Sequence, residues 1–183
     1  MKDFLTPDYM FGAFDEITPA FLKSIGVRAL LIDIDNTLAP YEEPDPNEQI
    51  MAWFEELKKN GIQASLVSNN HAPRVERFVK PLGETFGIVA YPDSGKPFGG
   101  TLKRAMDAMD VTPTETAMLG DQILTDCFAG KHIGLRAIIV PPIKDKTNLF
   151  FRFKRVLERP FIRKYAKLNG YREWMQFWKV KEK

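Results

Sequence analysis

The sequence is poor in the residues that staple or anchor a small protein. One cysteine, Cys127, excludes an intramolecular disulfide framework and any cysteine-based zinc cluster. Two histidines, His71 and His132, leave little room for a histidine-rich metal site. No apolar run reaches about 18 residues, so nothing reads as a membrane-spanning helix. The N-terminal stretch carries Asp3, Asp8, Asp15 and Glu16 without a continuous apolar core, which is unlike a secretory signal. A reducing, cytoplasmic setting is therefore expected. Internal repeats and low-complexity linkers are also lacking.

What is present is material for a core. The chain has 183 residues, 44% of them apolar, with 14 Phe, 5 Tyr and 3 Trp. A chain of this length buries roughly two-thirds of its unfolded surface and needs no staples. The net charge of +2 hides a division. Residues 1–143 hold 13 Lys and Arg against 20 Asp and Glu, whereas 144–183 hold 13 against 4. An acidic body thus carries a basic extension, an asymmetry that points to an anionic partner for the extension or to a solvated basic face.

Between residues 29 and 140, short apolar runs alternate with helix-like segments. Strands are predicted at 29–34, 62–67, 86–90, 116–119 and 135–140, and helices at 47–60, 73–79, 98–109 and 123–129. Ile50, Trp53, Phe54 and Leu57 share one helical face, with Gly61 placed to close that helix. Five apolar strands separated by helices predict a Rossmann-like α/β fold, a three-layer sandwich around a parallel sheet of about five strands. The expected organisation is an N-terminal segment, 1–28, packing on a core of 29–143, followed by a basic helical extension, 144–183. The short connections leave no room for an inserted cap domain.

Ligands of open α/β sheets sit outside the carboxyl ends of the strands, so the polar residues there carry the chemistry. Asp33-Ile-Asp35-Asn-Thr37 follows the first strand, Ser68-Asn69-Asn70 the second, Ser94-Gly95-Lys96 the third and Gly120-Asp121-Gln-Ile-Leu-Thr-Asp126 the fourth. Two carboxylates two residues apart at the end of a buried strand repel unless a cation or proton intervenes. A hard divalent cation takes oxygen ligands and would gather the acids. A carboxylate can also serve as nucleophile, a neighbouring acid can protonate a leaving alkoxide, and a hydroxyl, amides and a lysine can hold phosphoryl oxygens. Asn70 and Gln122 read equally as substrate contacts or loop braces. His71 reads as a loop residue and Cys127 as core packing.

These four motifs, Asp33-x-Asp35-x-Thr37, Ser68-Asn69, Lys96 and Gly120-Asp121-x4-Asp126, resemble in order those of the haloacid-dehalogenase-like (HAD) phosphatases over roughly residues 29–140. The resemblance implies that Asp33 is the nucleophile and becomes an aspartyl phosphate. It makes Asp35 the general acid and then the base. It places magnesium on Asp33, Asp121 and the Asp35 backbone carbonyl, with Asp126 supporting the ion from outside that set or through a water. Ser68 and Asn69 would bind phosphoryl oxygens, and Lys96 would neutralise them and hold Asp33. The short segments after both aspartate motifs imply the cap-less branch. Within it, Asp33-Ile-Asp-Asn-Thr-Leu38, Val67-Ser-Asn-Asn70 and Ile17-Thr-Pro19 are similar to the subgroup that includes phosphatidylglycerophosphate phosphatases. A phospholipid substrate at the cytoplasmic face of a membrane is the finer expectation, and a soluble phosphate ester (a nucleotide, sugar phosphate or phosphoprotein) is the alternative.

In the extension, Leu149, Phe150, Phe153, Val156 and Leu157 share one helical face against Arg152, Lys154, Arg155 and Arg159. After Pro160, Phe161, Ile162, Tyr165 and Leu168 repeat the pattern. Peripheral contact of 147–168 with an anionic membrane and packing of the same faces on the sheet are both open. No base-stacking module is recognisable, so nucleic acid is not expected as a partner. A phosphorylation-dependent switch would place its aspartate after the third strand and its lysine last, unlike the order here.

Overall fold

The computed structural model describes residues 3–144 and 149–169. The side chains of 149–152, among them Leu149, Phe150 and Arg152, lie outside the described residues, as do Thr147 and the end of the extension, 170–183.

Six parallel strands form one sheet in the order β1-β6-β5-β2-β3-β4. They are β1 (Tyr9–Met10), β2 (Ala29–Ile32), β3 (Gln63–Val67), β4 (Val89–Tyr91), β5 (Thr116–Gly120) and β6 (Arg136–Ile139). Helices α1 (Pro19–Ser24), α2 (Glu48–Lys59), α3 (Ala72–Phe86), α4 (Gly100–Met109), α5 (Phe128–His132) and α6 (Leu149–Asn169) surround it. β2 is buried along its whole length, as its continuous apolar run requires. Its period of two splits the core. Leu30 and Ile32 face Trp53 and Phe54 of α2 and Phe78 of α3, while Ala29 and Leu31 face Leu102, Ala105 and Met106 of α4. Each of these large buried side chains contributes roughly 1.5–3 kcal/mol.

Three elements differ from the sequence expectation. The sheet gains a sixth strand because the N-terminal Tyr9–Met10 pairs with β6. Phe86 ends a helix instead of starting a strand. Helix α3 continues past Pro81 because Leu82 is anchored in the core, and it stops only at Gly87, whose φ of +77° a side chain would strain. The two apolar patterns of the extension, before and after Pro160, lie on one helix, α6, which runs through the proline. An interior proline costs about 3 kcal/mol, which burial of Ile162, Tyr165 and Ala166 beyond it offsets. Ile162 and Tyr165 join Met10, Ile123, Cys127, Ala137 and Ile139 in a third cluster, and the Met10 amide donates to the Tyr165 hydroxyl at 3.2 Å.

The chain winds outward from β2 through β3 and β4, then crosses back to β5 and β6. The direction of winding therefore reverses between β2 and β5, where the crevice at the strand carboxyl ends opens. The stretch between β2 and α2 holds only an isolated bridge, Asp35 to Ala39, and among the described residues no large cap covers the crevice.

Candidate active site

Asp33 leaves β2 at the reversal point, its amide still donating to Leu119 of β5 at 2.9 Å. Asp121 leaves β5 beside it, and a tight π turn, Ile123–Cys127, swings Asp126 back over Gly120. A Cβ at Gly120 would lie 2.3 Å from the Asp126 carboxyl carbon, so only glycine admits this fold-back. One carboxylate oxygen from each of Asp33, Asp121 and Asp126 lies within 4.8 Å of the others, and all three residues are buried.

Lys96 reaches this cluster from the loop after β4. Its Nζ donates to Asp33 Oδ1 at 2.6 Å and to the Val67 carbonyl at 2.8 Å, and lies 2.8 Å from Asp126 Oδ1. Asn69 fixes the loop that carries it. Its Oδ1 accepts from the Lys96 amide at 2.9 Å and the Ser94 hydroxyl at 2.8 Å, while its Nδ2 donates to the Lys96 carbonyl. The Asn69 side chain, expected on a phosphoryl oxygen, braces the lysine loop and also lines the cleft. The Ser68 hydroxyl accepts from the Asn70 amide at 3.0 Å, and its residue is nearly fully buried at the cleft wall.

Asp35 stands apart from the triad. Asn70 donates to its Oδ2 at 3.0 Å and Arg74 to its Oδ1 at 3.4 Å, and Arg74 also donates to the Pro44 carbonyl. Asn70 thus braces an acid. Gln122 does the same for Asp126, its amide donating to Asp126 Oδ2 at 3.1 Å, while its side-chain oxygen accepts from Thr125 and from Lys154 of α6. Asp33, Asp35, Tyr41, Ser68, Lys96 and Lys154 are among the walls of a cleft of about 300 Å³. A second cavity, of about 340 Å³, lies near Phe54, Phe86 and Met109 and has no carboxylate on its walls.

Electrostatics mark the cluster as short of positive charge. Burial pushes the Asp33 carboxyl above its ordinary value, with Lys96 opposing and Asp126 and Asp121 reinforcing the shift. Burial raises Asp121 likewise, against Arg155. Burial works against the charge of Lys96, but Asp126 and Asp33 outweigh it and hold the ammonium above the usual lysine value. Asp121 Oδ1 is buried and has no hydrogen-bond partner among the described residues, a costly state for a carboxylate oxygen. An all-oxygen donor set with an orphaned buried oxygen fits a hard divalent cation.

Sequence reasoning missed Arg74, Arg155 and Glu158. Arg74 carried a usable signal, since it lies four residues beyond Asn70 at the start of α3. Arg155 and Glu158 had none, because their amphipathic pattern is that of any basic surface helix.

The family model for haloacid dehalogenase-like hydrolases matches residues 18–134. The chain belongs to that family. It is 34% identical over 174 residues to the probable phosphatase YqeG of Bacillus subtilis, covering 95% of this chain and 98% of that one. It is 27% identical to a glyceraldehyde 3-phosphate phosphatase of Pyrococcus furiosus, covering 72% of this chain and 54% of the relative. Among solved structures, the cobalt-bound deoxy-D-mannose-octulosonate 8-phosphate phosphatase of Haemophilus influenzae matches with a TM-score of 0.51 at 12% identity, over 79% of this chain and 92% of that one. That likeness concerns the fold alone. As a haloacid dehalogenase-like hydrolase, the protein is an enzyme. Among the described residues, no helix is long and apolar enough to cross a membrane.

Proposed function

We propose that the protein is a magnesium-dependent phosphomonoester hydrolase working through an aspartyl phosphate. The convergence of Asp33, Asp121 and Asp126 around one point, with Lys96 on Asp33, carries this reading. Asp33 attacks phosphorus as the ester P–O bond breaks, and Asp35 gives its proton to the departing alkoxide. Asp35 then takes a proton from water while the water oxygen attacks phosphorus, which releases inorganic phosphate and regenerates Asp33. Ser68 and the backbone of the turn after it hold the phosphoryl oxygens, and Lys96 balances their charge. Asn70 and Arg74 keep Asp35 at the rim, where a leaving group exits.

Asp33, Asp121 and the Asp35 carbonyl would hold the magnesium, with Asp126 kept at the edge of the set by Lys96 and Gln122. When bound, the ion offsets the charge that builds on the phosphoryl group and keeps the buried acids ionised. Its affinity for hard oxygen donors is what the raised acids and the orphaned Asp121 oxygen call for.

The finer substrate reading is phosphatidylglycerophosphate, taken at the cytoplasmic face of a membrane. The motif likeness supports it, and so do Phe153, Val156 and Leu157, which expose apolar surface on α6 close to Lys154 at the cleft. The reading of a small soluble phosphate ester is favoured by the open, polar cleft and by the glyceraldehyde 3-phosphate phosphatase relative. A magnesium-supplemented phosphatase screen of lipid and soluble phosphates separates the two. Turnover of the lipid phosphate in mixed micelles should exceed that of its water-soluble headgroup. Equal rates, with no binding to anionic vesicles, favour the soluble ester. Asp33→Asn should reduce turnover to background while the circular dichroism spectrum stays native; a variant that keeps wild-type turnover ends the phosphatase reading.

A further inference from the structure

The C-terminal helix does more than cover the sheet edge. Arg155 of α6 grips Asp121 twice. Its Nη1 donates to the Asp121 backbone carbonyl at 2.8 Å and its Nη2 to Asp121 Oδ2 at 2.5 Å. Glu158, one turn along the helix and fully buried, accepts from Arg155 Nη1 at 3.1 Å and from the Leu124 amide of the π turn at 3.1 Å. A continuous polar chain therefore runs from Asp121 through Arg155 and Glu158 to the turn that carries Asp126.

Such a chain is a poor way to gain stability. Glu158 is pushed above its ordinary value by burial, with Arg155 opposing. Replacing a buried ion network with apolar side chains of similar volume is often neutral or stabilising. The geometry offers another purpose. A guanidinium bonding both the carbonyl and one carboxylate oxygen of the same residue locks that side chain's torsions. The other oxygen, Asp121 Oδ1, is left buried and without a hydrogen bond among the described residues. Hydrogen bonds to one oxygen of a ligating carboxylate orient the other and tune it for a metal.

We propose that Arg155, held by Glu158, is a positioning residue that presents Asp121 Oδ1 to a divalent cation, so that α6 is part of the metal site. This inference rests on the magnesium-dependent reading above. Its test reads the metal directly, apart from turnover.

Magnesium binding to the full-length protein is measured by calorimetry for wild type, Arg155→Met, Arg155→Lys and Glu158→Gln, each checked for a native circular dichroism spectrum. Arg155→Met should weaken magnesium binding by about ten- to a hundredfold, the usual loss when an outer partner of a metal ligand is removed. Arg155→Lys should recover part of that loss, since an ammonium keeps the charge but not the two-pronged grip. Glu158→Gln should fall between the two. If Arg155→Met leaves a lone buried glutamate and does not fold, the double variant Arg155→Met/Glu158→Gln takes its place with the same expected loss. An affinity within twofold of wild type in either variant overturns the proposal. So does a tighter affinity, which would make Arg155 a competitor of the cation. Wild-type protein that binds magnesium but hydrolyses no phosphomonoester would defeat the phosphatase reading while leaving this one to the affinities.

Discussion

Lys96 and Asp33 stand 63 residues apart in the chain, yet Lys96 Nζ donates to Asp33 Oδ1 at 2.6 Å inside the core. The lysine side chain is 2% exposed and the aspartate side chain 9%. The same ammonium also lies 2.8 Å from Asp126, so one cation stands between two buried acids. It carries the charge balance of the cluster and spaces the carboxylates that would otherwise repel.

Lys96→Met should therefore destabilise the metal-free protein by about 3–5 kcal/mol, the cost of stranding a buried charge. Added magnesium should return part of that loss, because the ion supplies the missing positive charge. Urea unfolding with and without magnesium measures both effects. An unchanged midpoint in the variant would contradict this account of the cluster.

The general-acid role proposed for Asp35 predicts an effect that depends on the leaving group. Asp35→Asn should lower kcat for alkyl phosphates by about 10²–10⁴, the contribution of a positioned general acid. For p-nitrophenyl phosphate, whose leaving group departs without a proton, the loss should be much smaller. Steady-state kinetics on the two substrates would show it; equal losses would assign Asp35 to binding instead.

Away from the site, Glu115 accepts from the Thr112 hydroxyl at 2.6 Å and from Arg28 Nε at 2.9 Å, closing the turn before β5. The Thr112 hydrogen bond first, then Arg28, lowers its carboxyl from 4.5 to about 2. A group depressed on folding stabilises the protein at pH values above its unfolded value, and that contribution is lost as pH falls through the folded one. Glu115→Gln should unfold at a lower temperature than wild type at neutral pH. The gap should begin to narrow below about pH 4.5 and close towards about pH 2. Thermal scans across that range follow it, and a gap independent of pH would place the effect elsewhere.

Much of the fold was legible because its signals are local. The apolar runs of β2, β5 and β6 announce buried strands, and Asn47 caps α2 through a bond to the Ile50 amide three residues on. The acids of the site were legible because each directly follows such a run. Strand β1 was not: two residues pair with β6 only because the body of the chain presents a free sheet edge. The end of α3 was obscured by Pro81, whose local cost is outweighed by contacts that Leu82 makes in the finished core.

The sequence by itself determined that acids, a hydroxyl and a lysine would emerge at one edge of a parallel sheet, because strand direction and side-chain period follow from neighbours in the chain. Only the tertiary structure decided how those groups are held. Asn69 turns to the lysine loop, Arg74 reaches Asp35 across 39 residues, and Arg155 grips Asp121 across 34. Such bonds reward chain segments for meeting after the core has brought them together, and burial, more than sequence spacing, sets which charges must find one another.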